Sequence, residues 1–433
     1  MPAQQIFTED YKDRPYWWDV SPAPEAPGQD LTARTEVAIV GSGYTGACAA
    51  IATARGGRET LVLDAEQVGW GCSSRNGGQI SNTLKPSLSS LTRKYGSDLA
   101  LKILQEGMRS MAFVRDFIAQ EEIDCDFRQN GKFYAAHNPA QYEAMAQKYA
   151  NQTRGLEVEA HLVPRADQRS EIGSDAYCGG AVLPQNAALD PAKLQNGLVA
   201  RAKAAGARFV SHCRVENIRR EGKGFRLQTA KGPVLANDVI IATSGYTGAV
   251  TPWLRRRVIP IGSYVIATEE LPAETVRDMF PHDRIVTDSR KVVYYYRASP
   301  DGRRVLFGGR VSLKETDPRA SAPLLRKELI SLFPQISDVR VSHSWMGFVD
   351  FTFDSMPHVG KHDGMYYAMG YCGSGIATAT YLGMKAGQKV LGSPEGDTPL
   401  DKTRFSTRPF YTGNPWFLSQ SIRYYRWKDA SGK

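Results

Sequence analysis

Residues 37–46 read V-A-I-V-G-S-G-Y-T-G, and the next apolar run, L-V-L-D, ends at Asp64. Apolar residues that run into Gly41, Gly43 and Gly46 are typical of a strand that turns sharply into a helix. The first glycine of such a turn permits the bend, the second lets the backbone approach a pyrophosphate, and the third lets the helix pack on the strand. Asp64 ends the second strand, where a carboxylate can bind a ribose hydroxyl. The stretch therefore predicts a βαβ unit that binds a dinucleotide.

The same residues narrow the kind of dinucleotide. A carboxylate at Asp64 disfavours a 2′-phosphate, so NADP is the poorest candidate. FAD and NAD both fit the glycine turn, and the choice between them depends on the rest of the chain.

The composition is that of an ordinary globular protein. The chain has 433 residues, of which 42% are hydrophobic and 23% charged, and this length allows two domains with separate cores. No apolar run is long enough to span a bilayer, and the first ten residues, M-P-A-Q-Q-I-F-T-E-D, have no secretory pattern. We therefore predict a cytoplasmic location, with contact at a membrane surface as the less favoured alternative.

Cysteines, histidines and basic residues do not form the clusters that metal or nucleic-acid sites require. The six cysteines are dispersed without a C-x-x-C pair, which favours reduced thiols over disulfides or zinc. The seven histidines show no metal-ligand spacing, so no metal is predicted. The net charge of +9 is scattered, which favours a solvated surface over nucleic-acid binding. Attraction of an anionic ligand or cofactor is the alternative explanation of this charge.

Strand and helix patterns divide the chain into interleaved parts. Strand, glycine turn and helix follow one another near both ends, and repeated β-signals lie between them. The predicted fold class is α/β, with a Rossmann-like nucleotide-binding domain and an interleaved antiparallel β-rich substrate domain. The predicted division is an N-terminal arm at 1–33, the nucleotide-binding domain at 34–126, 188–250 and 340–433, and the substrate domain at 127–187 and 251–339. We expect the aromatic arm on the domain surface and not in the core.

A second glycine-rich loop, residues 68–79, reads V-G-W-G-C-S-S-R-N-G-G-Q. Its composition alone would also fit a surface loop. The stretch resembles the flavin-contacting loop of the D-amino acid oxidase superfamily of FAD-dependent amine oxidases, and S-R-N-G-G-Q is similar to the gamma-glutamylputrescine oxidase branch. The resemblance continues through residues 189–191, 239–245, 345–360, 370–376 and 424–429, so it covers nearly the whole chain.

The resemblance implies a glutathione-reductase-type domain in which FAD lies extended, with a β-rich domain over the flavin. It places the pyrophosphate at the first glycine turn, the adenosine ribose at Asp64 and the adenine at the backbone of Val215. The flavin ring would lie along residues 76–79, and its N1–C2=O edge would meet the positive end of the last helix of the domain. The implied cofactor-binding residues are Gly41, Ser42, Gly43, Tyr44, Thr45, Gly46, Asp64, Ala65, Gly71, Ser74, Arg75, Asn76, Gly77, Gly78, Gln79, Val215, Thr243, Gly245, Gly373, Ser374, Gly375 and Ile376.

Departures from the superfamily pattern bear on the attachment of FAD, the electron acceptor and the substrate. Members similar to sarcosine oxidase bind FAD through a cysteine in the region of 345–354, which here has none, so the resemblance implies non-covalent FAD. The strand that best matches their oxygen-activating lysine, 305–310, has no lysine, so oxygen and another electron acceptor both stay open. The amino-acid oxidases bind the substrate carboxylate with arginines, which are absent from 347–350 and 372–374. This disfavours a small α-amino acid or D-amino acid as the substrate.

No catalytic side chain is predicted, because a deprotonated amine can give up hydride to a flavin without a side-chain base. The candidates for the substrate pocket are Tyr264, Tyr294, Tyr296, Arg297, Trp345 and Asp350. The aromatic rings would form an amine pocket or pack in the core. Arg297 and Arg310 would bind a distal carboxylate or lie at solvated strand ends, and Asp350 or Asp354 would meet a substrate ammonium or lie at the surface.

Three functions are compatible with the sequence. The first is FAD-dependent oxidation of the C–N bond of a secondary amine or a gamma-glutamylated polyamine such as gamma-glutamylputrescine, in polyamine catabolism. The product would be an imine that hydrolyses to an aldehyde or keto compound. The second is a membrane-associated D-amino acid or opine dehydrogenase that passes electrons to a quinone. The third is a non-catalytic flavin- or NAD-binding protein, such as a subunit of a complex.

Overall fold

A computed structural model describes residues 6–22, 31–81 and 84–431 of the chain. Its strands are β1 (Phe7–Lys12), β2 (Arg34–Val40), β3 (Thr60–Leu63), β4 (Gln79–Ile80), β5 (Lys132–Ala135), β6 (His161–Val163), β7 (Gly180–Leu183), β8 (Ala187–Ala188), β9 (Arg208–Val210), β10 (Val215–Glu221), β11 (Gly224–Thr229), β12 (Gly232–Ile241), β13 (Ile259–Thr268), β14 (Ile285–Asp288), β15 (Tyr295–Ala298), β16 (Val305–Gly309), β17 (Val341–Phe351), β18 (His358–His362) and β19 (Met365–Met369). The helices are α1 (Trp17–Val20), α2 (Tyr44–Arg55), α3 (Leu88–Tyr95), α4 (Ser97–Gln120), α5 (Pro139–Ala150), α6 (Pro191–Ala204), α7 (Pro252–Arg255), α8 (Ala273–Met279), α9 (Pro318–Leu332), α10 (Gly375–Val390) and α11 (Leu418–Ser431).

The first large sheet has eight strands. Its main path runs β10-β11-β12-β2-β3-β9, with β19 beside β12 and β18 beside β19. The pairs β19–β12, β12–β2, β2–β3 and β3–β9 are parallel. All four residues of β3 are buried, as expected for a parallel strand with helices over both faces. The predicted Rossmann-like α/β fold is confirmed.

Helices α2 and α10 pack closely against each other on this sheet. A Cβ at Gly383 would lie 2.5 Å from the Thr45 carbonyl oxygen, and a Cβ at Gly387 would lie 2.6 Å from the Ala52 Cβ. Only glycine permits this approach of the two backbones. Each helix follows a strand of the same parallel group, β2 or β19, so both helices begin at the same edge of the sheet.

The second large sheet has nine strands in the order β1-β17-β13-β16-β15-β14-β5-β7-β6. Most of its pairs are antiparallel, and β1–β17 and β14–β5 are parallel. One face packs against α9 and forms a core that includes Phe133, Tyr264, Tyr296 and Phe307. The alternate residues lie on the opposite face, which meets the loop at 68–79. Gln79 donates from its amide nitrogen to the Tyr296 carbonyl oxygen at 3.1 Å, which joins the end of the loop to this sheet.

Two predictions about the division of the chain differ from the structure. The expectation of a surface arm is wrong for residues 7–20, because β1 joins the nine-stranded sheet and Trp17 is fully buried beside Trp345. Burial of so large an apolar ring stabilises the arm against the domain. Strand β17 also lies in the nine-stranded sheet, although 340–433 was assigned to the nucleotide-binding domain, since it pairs with β13 along its whole length. Parts of the predicted arm, 1–5 and 23–30, lie outside the described residues.

Within the described ranges, no helix has the length and apolar character needed to cross a bilayer. The same residues contain no group of three or more potential metal ligands. All six cysteines lie in this part of the chain and are free thiols.

Candidate active site

The first glycine turn has the geometry that the sequence predicted. Gly41 has a φ of +102°, and a Cβ there would lie 2.7 Å from the Ala242 carbonyl oxygen. A Cβ at Gly46 would lie 1.9 Å from the Gly41 carbonyl oxygen, so any other residue would force the turn apart. Gly43 caps α2, whose first backbone N–H groups point out of the helix end and suit an anion.

Asp64 fixes this turn in the structure. Its Oδ2 accepts from the Ser42 backbone N–H at 2.9 Å and from the Ser42 hydroxyl at 2.5 Å, and its Oδ1 accepts from the Glu66 N–H at 2.9 Å. Burial raises the pKa of Asp64 above its ordinary value. Ala65 follows at the end of β3, and Val215 begins β10 nearby, since Cys213 donates its N–H to the Asp64 carbonyl oxygen at 2.7 Å. The ribose and adenine contacts of these residues stay predictions.

The second glycine-rich loop covers the start of α2. The Ser73 hydroxyl accepts from the Tyr44 N–H at 2.9 Å. Gly71 precedes a short helical turn, and the Ser74 hydroxyl donates to the Gly69 carbonyl oxygen at 2.6 Å. The loop therefore lies directly over the helix end where the pyrophosphate is predicted.

The predicted flavin-contacting residues hold their own loop in place. Arg75 donates to the Trp70 carbonyl oxygen at 2.7 Å and stacks over that indole ring. Asn76 donates to the Ser73 carbonyl oxygen at 3.0 Å and accepts from the Gly78 N–H at 2.9 Å. These bonds fix the backbone of the loop, so any contact with a flavin would be made by a preformed surface.

The head of α10 forms the other predicted wall. Gly373 has a φ of +96°, and a Cβ there would meet no atom within 4 Å, so open space adjoins this turn. Ser374 caps the helix, Gly375 begins it, and Ile376 is buried. The hydroxyls of Thr45 and Tyr371 share a hydrogen bond at 2.5 Å, which joins this turn to α2. The structure thus brings the residues predicted near both ends of FAD to one edge of the sheet.

Asp350 holds the turn before α10 and is not available to a substrate ammonium. It is 3% exposed and accepts from the Gly370 N–H at 2.6 Å, the Tyr371 N–H at 3.1 Å and the Ser244 hydroxyl at 2.6 Å. Its placement in a substrate pocket is therefore wrong, because the charge is used to cap a turn. Burial raises the pKa of Asp350 to about 6.

The two remaining predicted cofactor contacts flank Ser244. The Thr243 hydroxyl shares a hydrogen bond with the Thr247 hydroxyl at 2.7 Å. A Cβ at Gly245 would lie 2.7 Å from the Phe348 carbonyl oxygen. Gly245 thus packs against β17, whereas the bond of Thr243 stays within the turn that follows β12.

Three aromatic pocket candidates lie on the face of the nine-stranded sheet that packs against α9. Tyr264 is fully buried and donates its hydroxyl to Glu315 at 2.7 Å, and the buried Tyr296 donates to the Tyr177 hydroxyl at 2.9 Å. Tyr294 packs against the same core. Their assignment to a substrate pocket is wrong, because strand alternation turns them away from the flavin loop.

Arg297 and Trp345 lie on the correct face but support the loop. Arg297 is 3% exposed and donates to the carbonyl oxygens of Gly78 at 3.2 Å and Leu189 at 2.9 Å. The buried Trp345 donates its indole N–H to the Arg75 carbonyl oxygen at 2.7 Å. Neither residue lines a free pocket, since the polar atoms of both are used to hold backbone.

Arg310 and Asp354 are also paired within the protein. The Arg310 guanidinium lies 2.7 Å from the Glu315 carboxylate, on the α9 side of the sheet, and its Nε and one Nη lack partners. Asp354 lies 3.0 Å from His358 and 3.4 Å from Lys94. Asp354 is therefore an internal hydrogen-bond partner and not a surface carboxylate.

Tyr295 is the tyrosine of β15 that lies towards the flavin loop. A Cβ at Gly77 would lie 2.8 Å from its ring, and its hydroxyl shares a hydrogen bond with the Ser263 hydroxyl at 2.9 Å. The sequence analysis missed it within the run Y-Y-Y-R. Side chains two residues apart on a strand lie on the same face, so the predicted pocket residue Arg297 would also have indicated Tyr295.

The glycine turn and the open head of α10 together fit an extended dinucleotide with an anionic centre. The family profile described as "DAO: FAD dependent oxidoreductase" matches residues 36–388.

This chain belongs to the DAO family of FAD-dependent oxidoreductases.

Two curated proteins match nearly the whole of this chain. The chain is 31% identical to the Gamma-glutamylputrescine oxidoreductase of Escherichia coli K12, over 92% of this chain and 93% of the relative. It is 30% identical to a "Probable oxidoreductase OrdL" of Rhizobium meliloti, over 93% and 94%. The predictions of family, enzyme class and FAD as cofactor are confirmed.

A solved DAO-family structure has the same fold. The glycine oxidase of Geobacillus kaustophilus superposes with a TM-score of 0.72 at 21% identity, and the match covers 87% of this chain and 99% of that one. The L-proline dehydrogenase of P. horikoshii gives a TM-score of 0.68 at 17% identity, covering 90% and 99%. At these identities the likeness establishes the fold alone.

Proposed function

We propose that this protein oxidises the C–N bond of an amine, and that its substrate is a gamma-glutamylated amine such as gamma-glutamylputrescine. The observation that carries the proposal is the pair of helix heads, at Gly43 and Gly375, held at one sheet edge by the contact of α2 with α10. Two helix ends facing one site suit a cofactor that is anionic at both its pyrophosphate and its reduced ring. The name of the E. coli relative supports the substrate class.

Bound FAD supplies a hydride acceptor, so the substrate amine becomes an imine that water hydrolyses to a carbonyl compound. The protein contributes position and electrostatics. The N–H groups at the head of α10 would stabilise negative charge on the reduced ring, and Tyr295 and Gln79 would hold the loop that carries it. No side-chain base is assigned, because loss of a proton from the amine itself activates the substrate.

Non-covalent attachment of FAD is part of this proposal. Cys72 and Cys372 are the cysteines beside the predicted flavin site, and burial raises the pKa of each thiol to about 12. Since the thiolate is the nucleophilic form, neither is poised to bond a flavin. Acid precipitation of the purified protein should therefore leave all the yellow colour in the supernatant.

The substrate proposal also rests on the missing arginines. Residues 347–350 and 372–374 contain none, and the nearby Asp350 carboxylate is capped by donors from the protein. Without an arginine at these positions, the site lacks the planar group that binds the carboxylate of a small α-amino acid in two hydrogen bonds.

Anaerobic mixing of the yellow holoenzyme with candidate substrates tests the proposal. Gamma-glutamylputrescine should bleach the visible flavin absorbance within one turnover, whereas glycine and D-alanine should leave it unchanged. Bleaching by a D-amino acid and by no amine would show that the substrate assignment is wrong.

A second candidate, a dehydrogenase that delivers electrons to a membrane quinone, is favoured by the C-terminal region. Trp416, Tyr424 and Trp427 are 70%, 53% and 55% exposed on or beside α11. Exposed tryptophan and tyrosine suit the interface of a bilayer. Turnover that reduces a soluble quinone but yields no hydrogen peroxide in air would favour this candidate over an oxidase.

A further inference from the structure

Lys132 lies within range of the charges of two lysines from other elements, and the described residues give none of the three a carboxylate partner. Lys85 precedes α3, Lys132 begins β5, and Lys148 lies near the end of α5. Burial, followed by the charges of Lys148 and Lys85, lowers the pKa of Lys132 to about 8. The ion pairs of the described residues include none of the three. We call Lys85, Lys132 and Lys148 the lysine pocket.

Strand geometry places this pocket on the flavin side of the nine-stranded sheet. Phe133 lies in the core against α9, so its neighbours Lys132 and Tyr134 lie on the opposite face. Tyr134 is level with Thr287 on the next strand, and the Thr287 hydroxyl donates to Gln79 at 3.1 Å. The pocket therefore shares a face with the loop predicted to carry the flavin.

Lys85 connects the pocket to the head of α10. Its ammonium lies 5.4 Å from the centre of the Phe351 ring, at the end of β17. Phe351 follows Asp350, whose carboxylate accepts from the Gly370 and Tyr371 N–H groups in the turn before α10. Lys85 thus lies beside the strand that holds the turn before α10.

Solvent reaches two of the three lysines. Lys85 and Lys148 are exposed, yet burial among surrounding protein atoms lowers the pKa of both. Both statements hold when a side chain points into a concave surface. Aromatic rings line it, since Lys132 lies 5.2 Å from the Tyr134 ring and Lys148 lies 5.1 Å from the Tyr149 ring.

We propose that the lysine pocket binds a carboxylate carried by the substrate at the end remote from the oxidised carbon. This inference rests on the proposed function, because it assumes that an amine is oxidised at the neighbouring flavin. The charges of Lys148 and Lys85 act against the charge of Lys132, and an anion bound beside them would relieve that repulsion. A free polyamine carries only positive charge and is excluded by the same field, so an acylated, carboxylate-bearing amine is the class that fits.

Two substrates that differ only in the carboxylate give the direct test. N-glutarylputrescine and N-butyrylputrescine share the acyl chain, the amide and the terminal amine, but only the first ends in a carboxylate. The dissociation constant of each is measured from the concentration dependence of anaerobic flavin reduction. We expect wild-type enzyme to prefer the glutaryl compound by about 10- to 100-fold, the range for hydrogen bonds to charged groups.

Variants of the protein test whether that preference depends on the lysine pocket. Lys132→Met should abolish most of the preference, Lys132→Arg should retain it, and the exposed Lys223→Met on the β10–β11 turn should leave it unchanged. An unchanged preference in Lys132→Met, or no preference in wild type, would overturn the inference. If Lys132→Met loses FAD but keeps the wild-type preference for the glutaryl compound, the lysines contribute to cofactor binding and not to substrate binding.

A binding measurement separates this inference from the proposed function. Glutarate is titrated into the holoenzyme, and the shift of the visible flavin spectrum is followed in wild type and Lys132→Met. A shift that requires Lys132, with no amine reducing the flavin, would refute the proposed function and leave the anion site standing. Flavin reduction by amines, with no spectral response to glutarate, would refute the anion site alone.

Discussion

The two predicted halves of the site differ in how their polar groups are satisfied. At the glycine turn and the head of α10, Asp64, Asn76 and Asp350 are bonded to backbone or hydroxyl groups of the protein itself. In the lysine pocket, the ion pairs of the described residues leave three ammonium groups without a partner. The difference indicates that the cofactor half is a rigid scaffold, whereas the substrate half is electrostatically complete only with a ligand.

The largest loss of stability is expected from substitution of Gly46 in the glycine turn. In Gly46→Ala the new methyl group would lie 1.9 Å from the Gly41 carbonyl oxygen, so the turn and the helix must separate. We expect colourless protein with unfolding free energy lowered by about 3 kcal/mol or more, measured by denaturant titration and flavin absorbance. Gly248→Ala, where a Cβ would meet nothing within 4 Å, is the control. If the Gly46→Ala protein is yellow and as stable as wild type, the glycine turn is not the rigid scaffold inferred above.

Asp350→Ala should give the next largest loss. It removes a buried acceptor and leaves the N–H groups of Gly370 and Tyr371 and the Ser244 hydroxyl without their partner. Each orphaned donor costs about 1–3 kcal/mol at most, and partial relaxation makes about 2–4 kcal/mol the expected total. The exposed Asp338→Ala should stay within about 0.5 kcal/mol of wild type. Equal unfolding midpoints for the two variants would contradict a structural role for Asp350.

Substitution in the lysine pocket should raise the unfolding free energy, in contrast to the two substitutions above. Lys132→Met removes a charge that burial and the charges of Lys148 and Lys85 disfavour, so it should raise the unfolding free energy of the substrate-free holoenzyme by about 1–2 kcal/mol at pH 7. The pKa of Lys132 is lowered from 10.5 to about 8 in the folded state, so folding releases a proton between these values. Wild type therefore gains stability as pH rises from about 8 to 10.5, and the advantage of the variant fades there. A variant that is less stable than wild type at pH 7 would show that the charges are paired.

The smallest expected effect distinguishes the two faces of the nine-stranded sheet. Tyr295→Phe and Tyr296→Phe each remove one hydroxyl hydrogen bond, to Ser263 and to Tyr177, and each should cost about 1 kcal/mol. Only Tyr295→Phe should shift the visible flavin spectrum, because Tyr295 lies against the loop predicted to contact the ring. A shift in Tyr296→Phe alone would reverse the assignment of the faces.

Local geometry explains what the sequence could predict. The bend at Gly41 and the close approach at Gly46 depend on neighbours within a few residues, so the glycine spacing alone predicts the turn. The head of α10 was recognisable for the same reason, from glycines before a helix. These are the features at which the cofactor is predicted to bind.

The substrate side depended on contacts that no local pattern records. A run of three tyrosines does not show which ring faces the cofactor, and an error of one residue exchanges the two sheet faces. The sequence likewise shows the charges of Arg297 and Asp350 but not the backbone groups that bind them. Lys85, Lys132 and Lys148 come from separate segments, so only the folded chain reveals that the charges of the other two act on Lys132.

The hydrogen bond between Thr45 and Tyr371 joins residues 326 positions apart. The turn at Thr45 leaves the ribosome early during translation, and the head of α10 emerges only after the whole β-rich part has been made. The first βαβ unit must therefore wait for most of the chain before its partner helix arrives. Cofactor capture is consequently a late event in biogenesis, and nascent chains stalled before α10 should expose the apolar flank of α2 to chaperones.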